Sequence, residues 1–254
     1  MCWRQSGYCE SLRALSERLR VSLEAYRDVV EPRMGFSRER ELSAASGVEG
    51  LMDCDAACRL ASALIDKADG GVACVVTPAS RRPSLEGCDV VLAVEGSLEA
   101  VARSGRLPDL LVGDLDPSLR ELGMLGAIGV PYAVHVHGDN IARVAQAVRS
   151  LAPGSSLLTS QVLPPYCILP VGAFTDGDRA AAIAMGLGAR EVRVGGFTPS
   201  RPLCSHKDLC DEARKRLKMG LGWEVLLRVA AGLGYEVEVA DGGAEVVLRR
   251  PGAR

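Results

Sequence analysis

From about residue 70 onward, short apolar runs alternate with helix-length segments, and that alternation leaves few folds open. Residues 72–77, 89–94, 109–112, 132–136, 156–158 and 191–194 are apolar runs too short for core helices. A further strand is expected at 167–169. The stretches 97–104, 117–125, 139–150, 176–187 and 208–233 carry helical periodicity. Pro117 stands at the first turn of one, and Gly220 and Gly222 mark a weak point in the last. Strands alternating with helices of this length indicate βαβ units and a mostly parallel sheet. Residues 235–240 and 245–249 predict a terminal hairpin around Asp241-Gly242-Gly243. The Pro-rich segment 159–174 lacks periodicity and is expected to be a loop or lid.

The chain begins differently. Leu12, Leu15, Leu19, Leu23, Tyr26 and Val30 recur every three or four positions and predict a helix over 11–30, stopped by Pro32 and Gly35. A second helix is expected over 50–67, with the polar stretch 38–46 as connector. The expected architecture is α/β: a Rossmann-like, mostly parallel sheet with helices on both faces, preceded by a helical section. The corresponding division is 1–68 and 69–254. With 48% apolar residues in a chain of 254, a sizeable core can be buried.

The net charge of −2 and the lack of charged tails give no support to a nucleic-acid or membrane role. No apolar run reaches the roughly 20 residues that span a bilayer. The nine cysteines are scattered without zinc spacing, and they are expected to be buried thiols in a reducing compartment. Arg4, Glu10 and Arg13 interrupt any apolar signal core, so a cytoplasmic location is expected. Homo-oligomerisation is left open.

In open parallel sheets, ligands bind beyond the carboxyl ends of the strands. Three acidic clusters follow strands there: Gly113-Asp114-Leu115-Asp116, His137-Gly138-Asp139-Asn140 and Thr175-Asp176-Gly177-Asp178-Arg179. Clustered carboxylates repel, and holding them ionised together calls for a cation. Oxygen ligands on tight turns suit Mg²⁺ bound together with substrate phosphates. Helix capping by Asp116, Asp139, Thr175 or Asp176 is the competing reading. His135 and His137 alternate on one strand and face the same way. Lys207, Lys215, Arg216 and Lys218 form either a solvated helix face or a set of phosphate-holding cations. No P-loop or Gly-x-Ser-x-Gly elbow occurs.

These three motifs, in this order and spacing, resemble the archaeal-type 6-hydroxymethyl-7,8-dihydropterin pyrophosphokinase family over roughly residues 70 to 220. Thr159-Ser160-Gln161 and Lys215-Arg216-Leu217-Lys218 look like further family elements. The catalytic fold of that family is similar to that of thiamine pyrophosphokinases. The resemblance implies Mg²⁺-dependent transfer of diphosphate from ATP to the pterin hydroxymethyl group, with AMP as the other product, in tetrahydrofolate or methanopterin synthesis. It implies metal ligation by Asp114, Asp116 and Asp139. Asp176 or Asp178 would orient the hydroxyl or bind a second ion, and Lys215 and Lys218 would steady the phosphates. Gly113, His137, Gly138, Asn140, Thr175 and Arg179 complete the expected site. Several positions depart from the pattern, among them Pro117, where many members carry Gly, and Pro83-Ser84-Leu85, which only echoes a Gly-Pro-Ser-like turn of the family. Many members carry Thr at the position of Gly113, and the family tends to have Asp where this chain has Glu95. The alternatives are thiamine as acceptor and a nucleotide-binding protein without turnover.

Overall fold

A computed structural model describes residues 9–115, 125–151, 154–163, 167–197, 211–240 and 244–252. Its strands are β1 (Val72–Val76), β2 (Val90–Val94), β3 (Leu110–Gly113), β4 (Tyr132–Val136), β5 (Ser156–Ser160), β6 (Leu169–Pro170), β7 (Glu191–Gly195), β8 (Glu236–Ala240) and β9 (Glu245–Arg249). They form one sheet in the order β6-β5-β4-β3-β2-β1-β7-β9-β8. Every neighbouring pair from β6 to β7 is parallel, and β9 runs antiparallel to β7 and β8. The chain therefore builds outward from β1 to β6 and then returns to place β7 on the other side of β1.

The helices are α1 (Glu10–Val29), α2 (Glu31–Met34), α3 (Arg38–Val48), α4 (Cys54–Ala68), α5 (Leu98–Arg103), α6 (Ile141–Ser150), α7 (Asp176–Gly186) and α8 (Glu212–Gly232). Two hydrophobic clusters cover opposite faces of the sheet. Ala73 and Val75 of β1 join α1, α4, α7 and α8 in one, while Val72, Cys74 and Val76 join α3, α5 and α6 in the other. This is the period-2 alternation of a strand covered on both sides. The N-terminal helices contribute to both clusters. Leu12, Leu15, Leu19 and Tyr26 of α1 are all at most 1% exposed, and burying a side chain of this kind contributes about 1.5–3 kcal/mol.

The α/β architecture is the expected one, and three local expectations are corrected. Residues 38–46 are not a connector but most of α3. Ser37 caps this helix by accepting from Arg40 N, and its buried face is Glu41, Ala44, Ala45 and Val48. The described part of 159–174 is not a lid. It contains β6, which pairs with β5 at the sheet edge. Gly172 there lies so close to the Ser22 carbonyl of α1 that a Cβ would overlap it. The predicted helix over 117–125 falls almost wholly outside the described residues.

The third correction concerns the cysteines. The six cysteines among the described residues are joined as Cys9–Cys58, Cys54–Cys167 and Cys74–Cys88. Cys54–Cys167 ties α4 to the segment entering β6 across 113 residues of sequence. Closing a loop of that length restricts the unfolded chain most. The double variant Cys54→Ala/Cys167→Ala is expected to lose about 2–5 kcal/mol of stability, measured by urea unfolding without reductant. An unchanged midpoint would mean that the bond contributes nothing.

Candidate active site

Glu95 follows β2, Asp114 follows β3, and Asp176 opens α7 after the return from the far edge of the sheet. One carboxylate oxygen from each lies within 4.8 Å of the other two. Glu95 is buried, and Asp114 and Asp176 are half-buried. Three carboxylates at such separation need compensating charge. The guanidinium of Arg179 supplies part of it by donating to Asp176 Oδ1. Asp114 Oδ1 is buried and has no hydrogen-bond partner among the described residues. A buried, unpartnered oxygen on one member of this three-carboxylate cluster fits a hard cation such as Mg²⁺, which takes oxygen ligands.

The backbone around the cluster is arranged to hold it. A Cβ at Gly113 would overlap the Cγ and Cδ of Glu95. The small residue at 113 therefore makes room for the long stem at 95. Leu115 has φ 75° although it is not glycine, a left-handed conformation that costs roughly 1–2 kcal/mol. In that conformation its N–H donates to Glu95 Oε1 at 2.7 Å. Asn140 Nδ2 donates to the carbonyls of Asp114 (3.2 Å) and His135 (2.8 Å), while Asn140 Oδ1 accepts from His137 N (3.0 Å). Asn140 thus locks the turn after β4 to the turn after β3.

The other expected residues have distinct placements. Asp178 is 1% exposed and accepts from Phe174 N, Thr175 N and the Thr175 hydroxyl. Its carboxylate is engaged in building the capping box of α7 with Thr175. Burial raises its pKa, against the hydrogen bonds and Arg179. Asp139 does not join the cluster: it is 70% exposed and pairs with Arg40 of α3. Gly138 donates its N–H to Glu41 at 3.4 Å and lies under the Arg40 stem, where a Cβ would meet Arg40 Cγ at 2.6 Å. Lys218 Nζ stands 5.6 Å from the centroid of the Phe174 ring, just before the cluster residue Asp176. Lys215 is half-buried on the same helix. Asp116, His206 and Lys207 lie outside the described residues. Glu95 and Glu41 are not among the expected ligands. The sequence signals for Glu95 are its place directly after a strand and the acidic residue that the resembled family tends to carry there.

The two histidines have different surroundings, with ring centroids 6.1 Å apart. His135 is buried, with Nδ1 against Thr159 Oγ1 (3.1 Å) and Nε2 against Gln161 Oε1 (3.2 Å). Burial first, then Arg179 and His137, push its pKa well below the ordinary value of 6.5. Burial also lowers that of His137. The unfolded chain therefore takes up protons below pH 6.5 that the folded chain refuses, so these residues make stability fall as pH drops through 6.5. Glu41 and Asp178, whose pKa values are raised, act in the opposite sense. Comparing the native sequence with His135→Gln isolates one contribution. Their difference in unfolding free energy is expected to change by up to about 1.4 kcal/mol per pH unit below pH 6.5. A pH-independent difference would contradict a neutral buried His135.

Three curated archaeal proteins share sequence with this chain. The 6-hydroxymethyl-7,8-dihydropterin pyrophosphokinase of Methanothermobacter thermautotrophicus is 32% identical over 107 residues, 42% of this chain and 45% of the relative. That of Pyrococcus furiosus is 37% identical over 107 residues, 42% and 44% of the two chains. That of Methanocaldococcus jannaschii is 30% identical over 113 residues, 42% and 46%. The matched segment thus spans less than half the length of each relative. No family model matches the chain. Over the matched segment, the three relatives bear out the resemblance that the acidic motifs carry.

Proposed function

We propose, from the segment shared with the archaeal 6-hydroxymethyl-7,8-dihydropterin pyrophosphokinases, that this chain transfers a diphosphate from ATP to the hydroxymethyl group of that pterin and releases AMP. The observation that carries the reading is the convergence of Glu95, Asp114 and Asp176 at the carboxyl ends of the strands, with one oxygen of each within 4.8 Å.

In this reading Glu95, Asp114 and Asp176 hold Mg²⁺, with Asp116 as a further ligand. When bound, the ion neutralises charge on the phosphates and helps to align them. The chain supplies the rest. The first turn of α7 presents backbone N–H groups and the positive end of its dipole to the phosphate oxygens. Arg179 orients Asp176, and Asp178 holds the turn that places both. Lys218 and Lys215 lie on the helix that flanks this turn and add positive charge for the triphosphate. The pterin hydroxyl oxygen attacks the β-phosphorus, and AMP leaves. Orienting that hydroxyl falls to Asp176 rather than Asp178, whose two oxygens are taken up by the turn. The product would serve tetrahydrofolate or methanopterin synthesis in the cytoplasm, a compartment in which hyperthermophile proteins do carry disulfides.

The test is an acceptor panel. With ATP and Mg²⁺, AMP should form with 6-hydroxymethyl-7,8-dihydropterin and not with thiamine. Preference for thiamine, or ATP binding without AMP from either alcohol, would overturn the assignment.

A further inference from the structure

Of the described phenylalanine, tyrosine and tryptophan residues, only Phe36 is exposed, with 41% of its surface open. A single exposed apolar side chain needs no explanation, but this one is held in place from both sides. Behind it, Gly35 ends α2 in the left-handed conformation, φ 65°, and donates its N–H to the Glu31 carbonyl at 3.1 Å. Ahead of it, Ser37 caps α3. Arg33 of α2 pairs with Glu224 of α8 at 2.5 Å. Arg40 of α3 pairs with Asp139 in the turn after β4, and its stem fills the space beside Gly138. Phe36 therefore sits on a short segment fastened at one end to α8 and at the other to the turn after β4.

Contacts join this ring to the carboxylate site. Phe36 meets Phe174 at 6.1 Å between centroids, with the ring planes 60° apart. Phe174 is half-buried, and its N–H donates to Asp178 Oδ2 at 2.8 Å. It stands two residues before the cluster residue Asp176, and two residues span at most about 7 Å. Lys218 Nζ lies 5.6 Å from the centroid of the Phe174 ring. Phe174 is thus flanked by a cation and an aromatic ring, and Phe36 is the ring of the pair with the more open surface. Such a surface suits a flat heterocycle, because every heteroaromatic ring has a π-face to stack. The proposed reaction brings two heterocycles to the protein. The reacting oxygen of the pterin is one carbon away from its ring, so that ring lies beside the attacked phosphorus. Adenine is separated from the same phosphorus by a ribose and the α-phosphate. A platform abutting Phe174 therefore fits the acceptor.

Resting on the proposed function, we infer that Phe36, backed by Phe174, is the stacking platform for the bicyclic ring of the acceptor and positions its hydroxymethyl arm toward the carboxylate cluster. The N-terminal helical section then has a defined task, which is to supply the acceptor side of the site.

The experiment compares the full chain with Phe36→Ala, Phe36→Leu and Phe36→Trp. Two probes are titrated by calorimetry in the presence of Mg²⁺: 6-hydroxymethylpterin and a non-hydrolysable ATP analogue. Thermal unfolding of each variant is followed alongside. Phe36→Ala should bind the pterin about 5- to 150-fold more weakly, the range for losing one base–aromatic stack, with unchanged affinity for the ATP analogue. Phe36→Leu keeps apolar bulk without an aromatic face and should be as weak as Phe36→Ala. Phe36→Trp should bind the pterin at least as tightly as the native chain. Native pterin affinity in Phe36→Leu would reduce the side chain to packing and overturn the platform. Weakening of the ATP analogue instead of the pterin would place adenine there and overturn it as well. AMP formation by the native chain, with pterin affinity unchanged in Phe36→Ala, would overturn the platform and leave the proposed reaction standing. The expected loss of pterin binding, without AMP formation by the native chain, would do the reverse.

Discussion

Asp114→Asn is expected to lower AMP formation by at least about 100-fold at saturating Mg²⁺. Loss of an outer partner of a metal ligand costs roughly 10- to 100-fold in affinity or activity, and Asp114 is placed as a ligand itself. The substitution is isosteric, and Asp114 Oδ1 has no partner among the described residues. Folding should therefore be unaffected, and removing one of three repelling carboxylates should hold stability level or raise it slightly. Thermal unfolding measured alongside turnover separates the outcomes. A large loss of activity with an intact melting temperature supports the cluster as a metal site. Full activity would remove Asp114 from the chemistry.

The second large effect is expected at Gly113. A Cβ at this position overlaps the Glu95 side chain, so Gly113→Thr should displace Glu95 from the cluster. Overpacking of this kind costs about 1–3 kcal/mol, and the loss of a ligand should take activity with it. The backbone itself tolerates the change, since Gly113 ends β3 without a positive φ and threonine suits a strand. Glu95→Asp shortens the stem and should vacate the space that the introduced threonine side chain needs. The double variant is therefore expected to recover most of the stability and activity that Gly113→Thr loses, with a coupling of about 0.5–3 kcal/mol. Additive losses would mean that residues 95 and 113 do not form a size-matched pair.

Much of this fold is legible in the sequence because its strands are buried on both faces and read as continuous apolar runs. The strand-end residues Asp114, His137, Asp176 and Asp178 then follow from the rule that sites gather at the carboxyl edge. What the sequence does not reveal is which strand ends become neighbours. Asp139 looks equivalent to Asp114 in the sequence, since both follow a strand within a few residues. The difference comes from α3, whose Arg40 pairs with Asp139 out in solvent. That helix is hard to see because its buried face combines two alanines and a valine with a glutamate, too weak a stripe to give a helical signal. The same helix hides Glu41. Glu95 stands in the sequence as a lone acid in a Val-Glu-Gly-Ser turn. Only the space left at Gly113 shows why a longer carboxylate fits there. Asp178 is legible as important, and its hydrogen bonds show that it builds the α7 turn.

The most direct measurement uses ATP labelled at the β-phosphorus, incubated with Mg²⁺ and 6-hydroxymethyl-7,8-dihydropterin. Transfer of a whole diphosphate predicts the label in the pterin product, bonded to the former hydroxymethyl oxygen, with unlabelled AMP released in equal amount. Label remaining in ADP, or no labelled pterin at all, would contradict the account.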